Sequence, residues 1–263
     1  MKPPAYDSSW PSDVKALYKH DTEEIWDPSI APHIANQYRN QLEIYRRFAD
    51  GGSKKILDVG CAQGTLALML AEAGHQVTAV DLRPQFLEYA RSRYSHGDIK
   101  FLALDVLKND IPGEYNLVFA NQIIEHIVYP VELCRKLFGA LSPAGRLVVT
   151  TPSWHYVKSH LPSFSELGDV SNWEHLQNTA DGDGHFYAYK MQELAQAFID
   201  AGFSEVSVRP FETPAISGHM KVRYAHRFVP YAMLRAAERL ALSIPRVRTA
   251  FSHQLLCTGI RPG

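Results

Sequence analysis

KKILDVGCAQGTLALMLAEAGHQVTAVDL, residues 54–82, reads as a strand, a glycine turn, a helix and a second strand that ends on a carboxylate. Ile56, Leu57 and Val59 form a short apolar β run, and Gly60 and Gly64 bracket a turn where a Cβ would obstruct close approach of a ligand. Leu66, Leu68, Met69, Leu70 and Ala71 continue as a helix closed by Gly74, and Val77 to Val80 return as a buried strand. Asp81 then falls at the C-terminal end of that strand, on the edge where open α/β sheets bind ligands, and can accept hydrogen bonds from a ribose diol. Dinucleotide sites want G-x-G-x-x-G, but Ala62 stands between the two glycines and no third glycine follows in register. A pyrophosphate cradle, and with it a nicotinamide oxidoreductase, is disfavoured.

The string DVGCAQG resembles motif I of class I S-adenosylmethionine (SAM)-dependent methyltransferases, an acidic residue followed by x-G-x-G-x-G, with Ala62 at the middle glycine. By this resemblance Asp58 holds the ammonium end of SAM through the loop or a water. Gly60, Cys61, Gln63 and Gly64 pass along its methionine part, and Asp81 with Leu82 meets the ribose side. Further matches follow in the order the family requires. IKFLALDVLK, residues 99–108, is similar to a third strand followed by Asp105, whose counterpart accepts from the adenine amino group while the Val106 amide meets the ring. EYNLVFANQIIEHI, residues 114–127, resembles the fourth strand, with Asn121 completing the cofactor set. Residues 141–152 resemble the fifth strand, 189–210 a helix, a Gly cap and the sixth strand, and 253–262 the seventh, which in this family inserts antiparallel. The resemblance implies a doubly wound, Rossmann-like α/β fold with a seven-stranded sheet.

Composition agrees with one soluble α/β domain carrying insertions. Of 263 residues, 46% are hydrophobic and 21% charged, enough to build a core rather than a disordered chain. Lys and Arg number 27 against 28 Asp and Glu, so the whole chain advertises no polyanion partner and nucleic acid is not favoured. Cys61, Cys134 and Cys257 show neither a disulfide framework nor a zinc spacing, which points to a reducing cytoplasm. The N-terminus has no apolar leader region, and no apolar run approaches a membrane span.

Three pieces lie outside the core pattern, and the expected organisation is an N-terminal helical lid over 1–53 and a methyltransferase core over 54–263 with insertions at 152–188 and 211–252. In the lid, Ile34, Tyr38, Leu42, Tyr45 and Phe48 recur at helical spacing before Gly51 and Gly52. The insertion at 152–188 holds His155, His160, His175 and His185 among aromatics; they lack paired metal-ligand spacing. Asp181, Gly182, Asp183 and Gly184 open like a calcium loop, but the later ligands do not follow, so an ordinary turn is expected. The insertion at 211–252 is basic, with Lys221, Arg223, Arg227, Arg235, Arg239, Arg246 and Arg248 against Glu212 and Glu238. From Pro230 it can wind as an amphipathic helix with Met233, Ala237, Leu240 and Ile244 on one side. It reads as a solvated charged face, a site for an anionic substrate, or, through 221–248, a peripheral contact with a membrane bearing a lipid-linked acceptor.

Gln122 to His126 resembles the E-x-x-E-H pattern of the ubiquinone-biosynthesis O-methyltransferase branch, a segment linked there to a divalent metal and to the acceptor hydroxyl. Gln122 replaces the first carboxylate, so no metal is expected. His126, and His185 from the long insertion, are the candidates for removing the acceptor proton, since neutral imidazole has a suitable pKa. The expected function is SAM-dependent methyl transfer, favouring O-methylation of a small molecule such as a sugar, a phenolic or a lipid-linked intermediate. N-methylation of a small amine, or a SAM-binding partner or sensor without turnover, are the alternatives.

Overall fold

The computed structural model describes residues 1–177 and 185–263. The turn expected at Asp181, Gly182, Asp183 and Gly184 lies outside the described residues. In chain order the elements are α1 (Ser12–Asp21), a π turn (Thr22–Trp26), α2 (Pro32–Ala49), β1 (Lys55–Val59), α3 (Thr65–Glu72), β2 (Gln76–Asp81), α4 (Pro84–Ser92) and β3 (Asp98–Ala103). Then come β4 (Tyr115–Asn121), α5 (Pro130–Ala140), β5 (Leu141–Pro152), α6 (Met191–Asp200), β6 (Ser204–Phe211), α7 (Pro214–Ser217), α8 (Tyr231–Ser243), α9 (Pro245–Phe251) and β7 (Gln254–Ile260). Pro32, Pro84, Pro130 and Pro245 each open a helix, where the missing N–H is no loss and φ is already set.

The seven strands form one sheet in the order β3-β2-β1-β4-β5-β7-β6. β1, β2 and β3 pair in parallel, as do β4 and β5, whereas β7 runs antiparallel to both β5 and β6. This is the expected doubly wound sheet with its last strand reversed, and each strand of the sequence reading is present. By packing, the chain divides into two compact units, Met1–Asp105 with Pro214–Glu238, and Val106–Thr213 with Arg239–Gly263.

In the first unit, β1 and β2 are buried along their C-terminal halves. The N-terminal segment is held by more than apolar contact. Val14 and Leu17 of α1 pack with Phe86 and Tyr89 of α4. Beside them Arg93, at the end of α4, places Nη2 2.7 Å from Asp21 Oδ1, with both side chains fully buried. Asp21 Oδ2 also accepts from Trp26 Nε1 at 2.7 Å and from the Tyr89 hydroxyl at 2.8 Å. Such a pair is held in place because removing one partner strands a buried charge.

The second unit is built on β4, β5, β7 and β6, with α5 and α6 packed together. Gly202 (φ 102°) ends the α6 region in the conformation expected of the cap read at that position. Its long insertion after β5 is tied to the segment after β4 by Tyr187. The Tyr187 hydroxyl is buried 2.6 Å from the Ile124 carbonyl, 2.9 Å from that of Ile127 and 2.9 Å from the Tyr189 hydroxyl.

The helix expected from Pro230 is present as α8, and the side expected to be apolar faces solvent. Leu234 and Glu238 are the buried positions, and Met233, Ala237, Leu240 and Ile244 lie in solvent. The cause is the surface on which α8 rests: Arg235 Nη1 donates to Asn40 Oδ1, Arg235 Nε lies 3.8 Å from Glu43 Oε2, and the Arg39 guanidinium sits 4.1 Å over the Tyr231 ring. The polar seat on α2 thus receives Arg235 and Tyr231, while Leu234 is buried and Ala241 and Leu242 are half-buried.

Candidate active site

The glycine loop of the first unit leaves β1 at Val59 and enters α3 at Thr65. Gly60 (φ 66°), Ala62 (φ 46°) and Gly64 (φ 75°) all adopt left-handed backbone. Ala62 therefore occupies, at some steric cost, the conformation that the motif's middle glycine adopts freely. At Gly64 an added Cβ would lie 2.8 Å from the Cβ of Ala90, so the nearest obstacle is α4 of the protein itself rather than ligand space. Gly60 is exposed, and Cys61 is a buried free thiol whose burial pushes its pKa well up.

Asp81 is nearly buried at the end of β2. Its Oδ2 accepts from the Ala62 N–H at 3.0 Å, and its Oδ1 accepts from the Arg83 N–H at 3.0 Å and from Arg83 Nε at 3.3 Å. A carboxylate oxygen has two lone-pair sites, so Oδ2 can still accept one hydroxyl, whereas both sites of Oδ1 are taken by Arg83. The loop and the carboxylate thus hold each other in place, and Leu82 beside them is exposed. Asp58, within β1, is buried; burial and then the Asp81 charge raise its carboxyl to about 7, while a hydrogen bond from the Ala67 backbone opposes the shift. Asp105 closes this unit, half-buried.

The Gln63 side chain points toward the N-terminal elements. Its Nε2 donates to Glu24 Oε2 at 2.7 Å and lies 3.4 Å from the Tyr38 hydroxyl. Burial, then the Asp21 charge, push Glu24 up to about 8. The Gln63 carbonyl accepts from Arg93 Nη1. Glu24 and Arg93 were not legible as parts of this site, because they stand 39 and 30 residues from Gln63 and no spacing motif joins them. The loop that the resemblance assigns to SAM is therefore braced by the half-buried Glu24 and the buried Arg93. The fit to the cofactor rests on these features: fixed Asp81, left-handed loop backbone and an open Leu82.

In the second unit, Val106 is buried, and Asn121 Oδ1 accepts from Thr150 Oγ1 at 3.0 Å. Gln122 and Gln254 exchange amide hydrogen bonds, Nε2 to Oε1 at 2.8 and 3.2 Å, and Gln122 Nε2 also reaches Thr150 Oγ1 at 3.3 Å. The residue that replaces the branch's first carboxylate is thus committed to β5 and β7.

The 3-10 turn Ile124–His126 follows, and here the two candidate histidines meet. The His126 and His185 rings are 4.9 Å apart between centroids. His185 Nε2 lies 3.7 Å from Glu125 Oε1, and Thr151 Oγ1 donates to Glu125 Oε2 at 3.1 Å. Glu125 is fully buried, and burial raises its carboxyl to about 8. One ligand atom from each of Glu125, His126 and His185 lies within 4.8 Å of the others, so the three can also offer a donor set to a cation. The sequence signalled His126 and His185 separately; Glu125 joins them because Tyr187 pins the end of the insertion to Ile124 and Ile127. His155, His160 and His175 take no part in that set.

Residues 33–208 match the model of a family described as a methyltransferase domain, about two-thirds of the chain. The chain belongs to this methyltransferase family. Among its relatives is the mitochondrial ubiquinone biosynthesis O-methyltransferase of Schizosaccharomyces pombe, 32% identical over 136 residues that cover 49% of this chain and 50% of that protein. The ubiquinone biosynthesis O-methyltransferase of Idiomarina loihiensis is 33% identical over 156 residues, covering 56% of this chain and 63% of its own. The methyltransferase here thus spans about half to two-thirds of the length of these curated relatives. A solved SAM-dependent methyltransferase from Mesorhizobium loti shares the fold at a TM-score of 0.58 and 20% identity, covering 86% of this chain and 98% of that one. Both relatives are named as ubiquinone biosynthesis O-methyltransferases, the branch whose E-x-x-E-H pattern Gln122 to His126 resembles.

Proposed function

We propose that this methyltransferase uses SAM to O-methylate a hydroxyl of a small molecule, with the Glu125, His126 and His185 cluster acting on the acceptor proton. The observation that carries the reading is the convergence of His126 and His185 on a buried carboxyl, in a chain whose other unit presents the glycine loop and Asp81. SAM supplies an already activated methyl group, so the protein's task is to orient the acceptor and remove its proton. Glu125, at about 8, stays protonated near neutrality, so the carboxyl beside His185 is uncharged there. A base of this kind contributes about 10²- to 10⁴-fold to the rate.

A second reading is favoured by the same three side chains. The Glu125 Oε1 atom is buried without a hydrogen-bond donor, and with His126 and His185 it fits a divalent cation. Bound there, a cation would supply Lewis-acid polarisation of the acceptor oxygen.

The test is release of S-adenosylhomocysteine from SAM in the presence of hydroxylated acceptors, with single-turnover rates for His126→Ala and His185→Ala at saturating SAM across pH. A base predicts a rate that rises with pH through the imidazole pKa and loses that rise in one of the variants. Wild-type rates in both variants exclude the cluster from the chemistry. Loss of turnover in EDTA restored by magnesium, with SAM binding unchanged, selects the metal. Mass spectrometry of the product separates O- from N-methylation, and SAM binding without release of product identifies a sensor. The proposal includes the lid role of residues 1–53, supported by the Gln63 to Glu24 bond, and a cytoplasmic setting, supported by three buried free cysteines. An anionic or membrane-held acceptor would be approached through the basic segment 221–248.

A further inference from the structure

The sequence D-L-R-P, residues 81–84, brings an arginine onto the carboxylate assigned to the cofactor's ribose. Pro84 opens α4 and holds the residue before it away from helical backbone, so Arg83 is extended at φ −98° and ψ 106°. From that fixed root its N–H donates to Asp81 Oδ1 at 3.0 Å, and its side chain turns back so that Nε meets the same oxygen at 3.3 Å. The guanidinium then lies 3.7 Å over the ring of Phe86, in the first turn of α4.

An ionised carboxylate accepts at two lone-pair sites on each oxygen. Arg83 fills both on Oδ1, and the Ala62 N–H fills one on Oδ2, so a single site remains. A vicinal diol placed against a carboxylate needs two sites, one for each hydroxyl. The bound diol and this arrangement of Arg83 are therefore mutually exclusive, and one of the present donors has to leave. The N–H groups of Ala62 and Arg83 are fixed by the glycine loop and by the turn into α4. The Arg83 side chain is free to yield: its contact with Asp81 is the longest of the set, it is 39% exposed, and it has the Phe86 ring to rest on.

We propose that Arg83 competes with the ribose of SAM for Asp81 Oδ1, and so sets how tightly the cofactor site binds and how strongly it prefers a diol. The inference rests on the assignment of Asp81 to the ribose. An arginine beside a nucleotide site ordinarily adds affinity, whereas this one subtracts it, because the diol must first undo an ion pair whose acid is nearly buried. A sugar without the hydroxyl that faces Oδ1 needs only the site left on Oδ2 and leaves Arg83 in place.

The test is titration calorimetry of the full chain with S-adenosylhomocysteine and with its 2′-deoxy and 3′-deoxy analogues, for the wild type, Arg83→Met and Arg83→Gln. Met keeps an apolar stem on Phe86 and Gln a polar one, and both remove the charge. S-adenosylhomocysteine is expected to bind both variants about two- to fivefold more tightly than the wild type, the worth of a part-exposed ion pair. The deoxy analogue that lacks the hydroxyl facing Oδ1 is expected to bind variants and wild type alike. Raising salt weakens the pair of Arg83 with Asp81, so it should tighten S-adenosylhomocysteine on the wild type relative to both variants. Weaker or unchanged binding of S-adenosylhomocysteine to the variants, equal tightening of all three ligands, or parallel salt responses overturn the proposal. Should one Arg83 variant fail to fold, the other carries the decision. Asp81→Ala separates the two levels. Undiminished affinity in that variant removes the ribose assignment itself, while a loss there combined with indifference to Arg83 removes only the competition.

Discussion

Replacing Gly64 by Ala separates two explanations of the glycine loop, since one assigns the missing side chain to the ligand and the other to α4. In the folded chain Gly64 has φ 75°, a conformation that costs an L-residue about 1–2 kcal/mol. Its new Cβ would also sit 2.8 Å from the Cβ of Ala90, which is itself fully buried. Neither position can retreat freely, so overpacking adds about 1–3 kcal/mol. Stiffening of the unfolded chain by the methyl group acts in the opposite direction, stabilising by about 0.4–1 kcal/mol. The expected net loss is about 2–3 kcal/mol, measured by urea unfolding without SAM. Ala90→Gly alone should cost about 1 kcal/mol of helix propensity. Combined with Gly64→Ala it should relieve the clash, leaving a favourable coupling of about 1–2 kcal/mol in the double-mutant cycle. A Gly64→Ala protein as stable as the wild type but unable to bind SAM, or a coupling near zero, would refute the packing account and return Gly64 to the ligand.

Arg93→Met should cost about 3–5 kcal/mol in the same unfolding assay, because it leaves Asp21 buried and unpaired; a loss under about 1 kcal/mol would mean that the pair is solvated or unformed. Asp81→Ala should weaken SAM binding by about 1.5–3 kcal/mol in calorimetry, and undiminished affinity would remove Asp81 from the cofactor site. Glu125 carries a pH signature. Its folded pKa, about 8, lies above the ordinary 4.5, so between these values the folded state keeps a proton that the unfolded chain has released. Its contribution is therefore fully present below about pH 4.5 and is lost as pH rises toward 8, with a slope of at most about 1.4 kcal/mol per unit. Glu125→Gln should remove that slope from stability curves recorded in EDTA; parallel curves for the two proteins would show that Glu125 is ionised in the fold.

The strands were legible because burial on a parallel sheet leaves apolar runs that glycines and prolines punctuate, as Ile56 to Val59 and Val77 to Val80 do. Asp81 was legible for the same reason, since a carboxylate at the end of a buried strand has few structural uses. The supports of the site were not. Arg93 is fully buried and Glu24 half-buried, and local sequence gives such an ionisable residue no mark that distinguishes it from a solvated one. α8 fails in the opposite direction. Its period was readable, but a helical period fixes only which residues share a side; which side turns inward depends on the seat, and α2 offers Arg39, Asn40 and Glu43. Periodicity therefore predicts the existence of an amphipathic helix, while the chemistry of its neighbour predicts its orientation. The same distinction applies to His185, whose neighbours are set by the Tyr187 hydroxyl against Ile124 and Ile127 and not by its own local sequence.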